Sequence, residues 1–140
     1  MSLVNHVGLT VSDLDASVAF YTRVVGMTVQ ARTTSGGPWF DTLTANDGAV
    51  IGVVMLESPG AVLQLVAYER GGGGTAPTGH NRVGNMHLCI NVDDVEAVRA
   101  TVVGAGLPAT PIVALPVPGM RSFYTADPDG VPVEFLQPPR

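Results

Sequence analysis

The sequence contains an internal repeat, and this repeat limits the possible folds more than any other feature. Residues 6–16 (HVGLTVSDLDA) correspond to residues 87–97 (HLCINVDDVEA), and residues 60–66 correspond to residues 130–136. The first copy is the longer one, and we place its extra residues at 36–48. A repeat of this kind predicts two copies of one supersecondary unit.

Hydrophobic periodicity predicts the same element order in both copies. Residues 3–11 alternate between a polar and an apolar face, which is typical of a strand. The amphipathic segment that follows predicts a helix capped by one of the polar residues at its start. Three further strands complete each copy. We therefore predict an α+β fold of two βαβββ modules, residues 1–69 and 83–140, joined by a Gly-rich linker at 70–82.

Four polar side chains occupy corresponding positions in the two copies. His6 and His87 lie in the first strands, and Gln64 and Glu134 lie in the fourth strands. Gln64 and Glu134 interrupt apolar strands, where an unpaired polar group costs about 1–3 kcal/mol. If an approximate two-fold axis relates the modules, the four side chains can surround one divalent ion, which could be Co, Ni, Mn, Zn or Fe. Such an ion favours chemistry in which a carbonyl is polarised and a neighbouring C–H bond loses its proton.

The charge balance limits the partners that the protein can bind. All seven basic residues are arginines and twelve residues are acidic, so the net charge is −5. This balance argues against a nucleic acid or an anionic membrane as partner. Glycines and prolines interrupt the longest uncharged stretch, residues 100–120, which excludes a membrane-spanning helix. The first residues lack the basic flank and continuous apolar core of a signal peptide, and we expect a cytoplasmic homodimer.

These motifs resemble the vicinal oxygen chelate superfamily, which includes glyoxalase I, methylmalonyl-CoA epimerase, extradiol dioxygenases, and fosfomycin and bleomycin resistance proteins. The resemblance covers nearly the whole chain. It rests on His6 before VSDL (11–14), FY at 20–21 before Gly26, His87 before VDDV (92–95), and DPDG (127–130) before Glu134. It implies a curved mixed sheet around a metal site, with the four repeated positions as the metal ligands.

The order of the ligands, His, Gln, His and Glu, is similar to that of methylmalonyl-CoA epimerase. Bacterial glyoxalase I usually has a carboxylate where this chain has Gln64. The resemblance thus implies proton abstraction next to a metal-chelated carbonyl, by an epimerase, an isomerase or a glyoxalase-I-type lyase, with Glu134 as ligand and candidate base. The second glutamate of the epimerase would fall near Gly48, where this chain has none. Asp47 or Asp41 is the candidate replacement.

We expect the substrate to be a small carbonyl compound. A chain without lysine and with few arginines offers little basic charge for a CoA-type polyphosphate. Arg121, at the predicted edge of the pocket, is the candidate for binding a carboxylate or phosphate of the substrate. Cys89 has apolar sequence neighbours and receives no catalytic role.

Two other functions remain open. An extradiol iron dioxygenase would use His6, His87 and Glu134 as a two-histidine, one-carboxylate triad. The resemblance implies a further His or Tyr near the oxygen, for which His80 and Tyr124 are the candidates, although we favour structural roles for both. A non-catalytic binding or resistance protein would hold a small molecule without reaction.

Overall fold

The computed structural model describes residues Met1 to Arg140, in two compact units, unit 1 (Met1–Thr75) and unit 2 (Ala76–Arg140). The elements in chain order are β1 (Val7–Thr10), α1 (Leu14–Arg23), β2 (Thr28–Gly36), α2 (Pro38–Thr44), β3 (Val50–Ser58), β4 (Ala61–Arg70), β5 (Leu88–Asn91), α3 (Val95–Gly104), β6 (Val113–Ala114), β7 (Arg121–Ala126) and β8 (Pro132–Gln137). No helix has the length and apolar character needed to cross a lipid bilayer. The predicted α+β class is confirmed.

Each unit contains one four-stranded mixed sheet, and the two sheets share a strand order. The order is β1-β4-β3-β2 in unit 1 and β5-β8-β7-β6 in unit 2. In both units the first strand pairs in parallel with the fourth, and the remaining pairs are antiparallel. The strand pairing therefore repeats as the sequence does. Each of the two predicted modules thus contributes one mixed sheet.

A helix follows the first strand of each unit and packs against its sheet. The Asp13 Oδ1 atom accepts a hydrogen bond from the Ala16 N–H at 2.9 Å and so caps α1. The Asp94 side chain caps α3 in the same way, with the Ala97 N–H as donor at 3.0 Å. These bonds satisfy backbone donors that a helix start leaves unpaired. The connection from the first strand to the helix thus has the same capping hydrogen bond in both units.

Strand alternation sets the direction of the two polar residues in the fourth strands. The residues on either side of Gln64 and Glu134 are buried in strands that α1 and α3 contact: Leu63, Leu65, Val133 and Phe135. Because successive side chains of a strand point to opposite faces, Gln64 and Glu134 lie on the face away from these helices. We call these the Gln64 face and the Glu134 face.

The extra residues of the first copy form a helix, which the sequence did not predict. α2 starts with Pro38, a residue favoured in the first helical turn, and ends before Ala45, which has a left-handed φ of 52°. Phe40 is buried against Ala49, Ile51 and Val53. Unit 1 is therefore βαβαββ rather than βαβββ.

Both candidate histidines lie one residue before a strand. Pairing of β1 with β4 begins at Val7, and pairing of β5 with β8 begins at Leu88. The predicted strands, which started at residues 3 and 86, were therefore too long at their N-terminal ends. His6 and His87 lie outside the paired strands, and their side chains are exposed.

Candidate active site

A hydrogen-bonded cluster surrounds Glu134 on its face of the unit 2 sheet. Cys89 of β5 and Tyr124 of β7 are its direct neighbours in the two adjoining ladders. The Ser122 hydroxyl donates to Oε1 at 2.6 Å, and the Tyr124 hydroxyl donates to Oε2 at 3.0 Å. Both carboxylate oxygens are therefore fixed by donors from β7.

The His87 side chain completes this cluster. Its Nε2 atom lies 3.5 Å from Glu134 Oε2 and 3.4 Å from the Tyr124 hydroxyl oxygen. Two ligand atoms that each lie about 2.0–2.2 Å from an ion are roughly 3–3.5 Å apart in tetrahedral or octahedral geometry. The His87 and Glu134 atoms thus have a separation that suits two neighbouring ligands of one divalent ion.

The surroundings of Glu134 hold its carboxyl group in the ionised form. Burial raises the pKa of Glu134, but hydrogen bonds from Ser122, Tyr124 and Cys89 and the electrostatic interaction with His87 lower it, and the net pKa is below its usual value. Hydrogen bonds donated to a carboxylate favour its charged form. Glu134 is therefore an anion at neutral pH, as a metal ligand must be.

The two neighbours that donate to Glu134 and can themselves ionise keep their protons. Burial, followed by the hydrogen bond to Glu134 and its charge, raises the pKa of Tyr124 to about 12. Burial and the charge of Glu134 likewise raise the pKa of Cys89 to about 11. At neutral pH both groups are donors, and Cys89 is a poor nucleophile because the thiolate is the reactive form.

We expect Cys89 to react slowly with iodoacetamide at pH 7, although its side chain is exposed. A pKa of about 11 leaves roughly one thiol in 10⁴ ionised at that pH. The alkylation rate of the folded protein should still rise about tenfold per pH unit between pH 8 and 10, whereas the chain unfolded in guanidinium should level off above about 8.5. A plateau near pH 8.5 in the folded protein would contradict the assigned environment.

In unit 1, Gln64 lies between Gly8 of β1 and Met55 of β3. A Cβ atom at Gly8 would lie 3.7 Å from Gln64 Oε1, so the glycine leaves the amide group room on its side of the sheet. The side chain of Gln64 is half-buried and forms no hydrogen bond. A half-buried amide oxygen without a partner is available as a ligand.

The His6 ring is oriented by its sequence neighbour. Its Nδ1 atom lies 2.7 Å from Asn5 Oδ1. Because an amide oxygen can only accept, Nδ1 is the donor of this hydrogen bond, and Nε2 is the ring nitrogen left for a metal ion. Metal-binding histidines typically have their second ring nitrogen engaged in this way.

Apolar side chains cover the rest of the Gln64 face. Met55, directly beside Gln64, and Val66, two residues further along β4, pack against the buried cluster that contains Phe40. Trp39 lies beside Phe40, with ring centroids 5.5 Å apart, and is 59% exposed. α2 thus adds aromatic surface to the sheet face that carries Gln64.

The structure does not bring Asp47 to Gln64. Asp47 is exposed in the turn after α2, next to Gly48, whose carbonyl accepts a hydrogen bond from Arg70 Nε at 2.6 Å. Arg70 follows Gln64 by six positions in β4, which corresponds to about 20 Å of strand. Asp41 lies in α2, and its Oδ1 atom is buried without a hydrogen bond.

Arg121 is not on the Glu134 face. Ser122 and Tyr124, which both bond to Glu134, alternate with Arg121 along β7, so Arg121 points to the opposite face. There it forms an exposed ion pair with Glu96 of α3. The substrate-binding role that we expected for Arg121 is therefore not supported by its position.

Sequence analysis missed the role of Ser122 and named Tyr124 only as a candidate near the oxygen of a dioxygenase. Two hydroxyl side chains in alternate positions of a strand are a usable signal once the register to Glu134 is known, because together they place two donors on one face. The ring centroid of His80, the other candidate named there, lies 4.7 Å from that of Tyr124. Neither unit on its own arranges three or more His, Cys, Asp or Glu side chains so that they could hold a metal ion.

Comparison with known proteins identifies the family. A model described as the Glyoxalase/Bleomycin resistance protein/Dioxygenase superfamily matches residues 3–135. The chain belongs to this superfamily. The resemblance inferred from the motifs is confirmed, whereas the closer similarity to methylmalonyl-CoA epimerase stays a prediction.

Relatives within the superfamily carry two kinds of name. A probable lactoylglutathione lyase of Vibrio cholerae is 34% identical, over 94% of this chain and 88% of that protein. A 2-epi-5-epi-valiolone epimerase of an Actinomyces species is 32% identical, over 97% of this chain and 79% of that protein. A glyoxalase family protein of Bacillus cereus has a TM-score of 0.86 at 17% identity, over 98% of this chain and 94% of that one, which supports the fold.

Proposed function

We propose that the chain is a divalent-metal-dependent enzyme that removes a proton next to a metal-chelated carbonyl. The reaction class is that of an epimerase, an isomerase or a glyoxalase-I-type lyase. The observation that carries the proposal is the Glu134 carboxylate, held ionised by hydroxyl donors and 3.5 Å from His87 Nε2. Relatives named as a lyase and an epimerase support the reaction class.

The proposed metal ligands are His6, Gln64, His87 and Glu134. Two imidazoles, an amide and a carboxylate suit Co, Ni, Mn, Zn or Fe. A single carboxylate leaves a local charge of +1 on a bound divalent ion, which supplies Lewis acidity for the carbonyl and the developing oxyanion. The Nε2 atom of His6, which its Asn5 contact leaves free, and the unpaired amide of Gln64 fit this role.

Glu134 is the proposed base as well as a ligand. One of its oxygens takes the proton from the carbon beside the carbonyl, and the electron pair of the broken C–H bond moves to the carbonyl oxygen, giving an enolate. Return of this proton to the neighbouring carbon gives an isomer. Epimerisation at the same carbon requires a proton delivered from the opposite face of the enolate. We assign no second base, because Asp47 lies next to Gly48, which bonds to Arg70, and Arg70 follows Gln64 by about 20 Å of strand.

The lowered pKa of Glu134 has opposite effects on its two roles. It secures the anion that a ligand requires, but it makes the carboxylate a weaker base, and proton transfer is most efficient when the pKa values of donor and acceptor are matched. The substrate carbon acid must therefore be strongly acidified when bound. This requirement agrees with a substrate whose two neighbouring oxygens chelate the ion.

A dioxygenase is the second candidate function. The observation that favours it is the position of Tyr124, whose hydroxyl lies within 3.4 Å of both His87 Nε2 and Glu134 Oε2, and whose ring contacts that of His80. A hydroxyl beside two proposed iron ligands suits an oxygen-bearing substrate. Gln64 as a fourth ligand weighs against this candidate, because iron dioxygenases of this type need open positions.

The test is the metal content of untagged protein purified without chelator, measured by mass spectrometry before and after reloading. About one Co, Ni, Mn or Zn ion per chain, together with solvent deuterium exchange into 2-substituted acyl thioesters or α-hydroxy carbonyls, would support proton transfer. A preference for iron would favour the dioxygenase. Failure to load any of these metals would contradict both and favour a binding protein. Light scattering on the same samples tests the predicted homodimer.

A further inference from the structure

Unit 2 contains a cleft of about 310 Å³ that adjoins the Glu134 cluster. Tyr124 belongs to both, because its side chain lines the cleft while its hydroxyl donates to Glu134 and lies 3.4 Å from His87 Nε2. The other lining residues are His80, Pro108, Ala109, Thr110, Thr125 and Ala126. Only the Tyr124 side chain therefore separates a group in the cleft from Glu134, the proposed base.

The threonine hydroxyls of the cleft wall are already engaged. Thr110 Oγ1 accepts a hydrogen bond from the Tyr124 N–H at 2.9 Å and donates to the Pro111 carbonyl at 3.2 Å. Thr125 Oγ1 donates to the Pro108 carbonyl at 2.7 Å. No aspartate, glutamate or arginine side chain lines the cleft. An occupant would mainly meet methyl groups and rings, and an ionised group would lose hydration without a carboxylate or guanidinium to pair with it.

The size and the walls of the cleft define its occupant further. A volume of about 310 Å³ is at the lower end of the range of about 300–1,000 Å³ for small-molecule sites. The His80 ring stands edge-on to the Tyr124 ring, at an interplanar angle of 86°. The two rings form a wall against which a flat or short apolar group can pack. The His80 part of this wall comes from the segment before β5.

We propose that this cleft binds a short uncharged arm of the substrate, an alkyl chain or a phenyl ring, and that His80 is a positioning residue for it. The inference rests on the proposed function, because it assumes that the two oxygens of the substrate occupy the metal. It deepens that function by naming the substrate class as small carbonyl compounds with an apolar arm. A charged arm is disfavoured because no aspartate, glutamate or arginine side chain lines the cleft to pair with it.

The experiment compares 2-oxo acids, whose two neighbouring oxygens can chelate a metal, by calorimetric titration of cobalt-loaded protein. Pyruvate has the shortest arm, 2-oxohexanoate and phenylpyruvate have apolar arms, and 2-oxoglutarate has a charged arm. Burial of a butyl or phenyl group should give affinities about 10- to 100-fold above that of pyruvate. The affinity of 2-oxoglutarate should not exceed that of pyruvate.

Variants locate the effect. Ala126→Phe fills the cleft and should abolish the gain of the apolar arms while leaving pyruvate affinity within about threefold of the unmodified protein, since the metal is unaffected. The matched control Ala100→Phe makes the same change on the exposed surface of α3 and should keep the gain. Should Ala126→Phe not fold, Ala109→Leu fills the cleft from its other wall.

His80 has its own pair of variants. His80→Ala should reduce the gain, and His80→Phe, which keeps a ring in the wall, should retain it. This result would show that His80 acts through the shape of its ring and not through protonation of its imidazole. Loss of the gain in both variants would contradict the positioning role.

The outcomes separate the inference from the proposed function. Equal affinities for pyruvate and the apolar arms, or a gain that survives Ala126→Phe, would overturn the inference and leave chelation intact. Failure of every 2-oxo acid to bind to protein with cobalt at one ion per chain would overturn the proposed function. In that case NMR titration of the metal-free protein with benzyl alcohol decides the cleft, because occupancy of the cleft shifts the amide signals of residues 109–110 and 124–126.

Discussion

Replacement of His87 by alanine is expected to weaken metal binding at least about 100-fold without unfolding the chain. The variant removes one of the proposed ligands, and no other residue of the cluster can replace its nitrogen. The fold should persist because the His87 side chain is 46% exposed and contacts Tyr124 and Glu134 at the surface of the sheet. Substitutions at such exposed positions usually change the free energy of unfolding by about 0.5 kcal/mol or less.

The measurement is cobalt content and cobalt affinity of the His87→Ala protein, with thermal denaturation of the metal-free form as the check on folding. His80→Ala is the matched control, because it also removes a histidine in contact with Tyr124 but not a proposed ligand. It should keep one ion per chain. Stoichiometric metal in the His87→Ala protein would remove His87 from the ligand set.

Replacement of Glu134 by glutamine is expected to slow solvent deuterium exchange about 10²- to 10⁴-fold, the usual contribution of a general base. Glutamine has nearly the shape of glutamate but no charge. Its amide oxygen can accept one of the two hydroxyl hydrogen bonds, and the other hydroxyl can rotate to accept from the amide nitrogen. The sheet should therefore stay intact while the base is lost.

Exchange must be measured at saturating cobalt, because glutamine also weakens metal binding. A rate within twofold of the unmodified protein would exclude Glu134 as the base. Tyr124→Phe is the comparison variant, since it removes one hydrogen bond that lowers the pKa of Glu134. A group with a depressed pKa loses activity only when the pH falls through that pKa, so the acid limb of the Tyr124→Phe profile should lie at higher pH.

The repeat in the sequence was sufficient to predict that the two units share one strand arrangement. Two copies of one pattern require two copies of one strand order, and alternation around Gln64 and Glu134 follows from their buried neighbours. α2 was not predicted, because seven residues are too few for a clear helical period. Its helix is stabilised by Phe40, whose partners come from a strand later in the chain.

The candidate site was predicted less completely than the fold. Residue types and repeat positions were enough to single out Glu134 and His87, but side-chain partners depend on register, which the sequence does not reveal. Arg121 shows the consequence. Its expected role ignored alternation along β7, and its ion partner Glu96 lies in α3, 25 positions away. The same register accounts for the donors at Ser122 and Tyr124.

The two hydroxyls on Glu134 mean that this carboxylate is preorganised. A free glutamate side chain loses up to about 1.5–2 kcal/mol of rotamer entropy when it is immobilised. Here Ser122 and Tyr124 hold one oxygen each, so much of that loss occurs during folding rather than on ligand capture. An arriving ion or substrate therefore binds a carboxylate whose orientation is already fixed. Its affinity depends on how well its size and geometry fit that orientation.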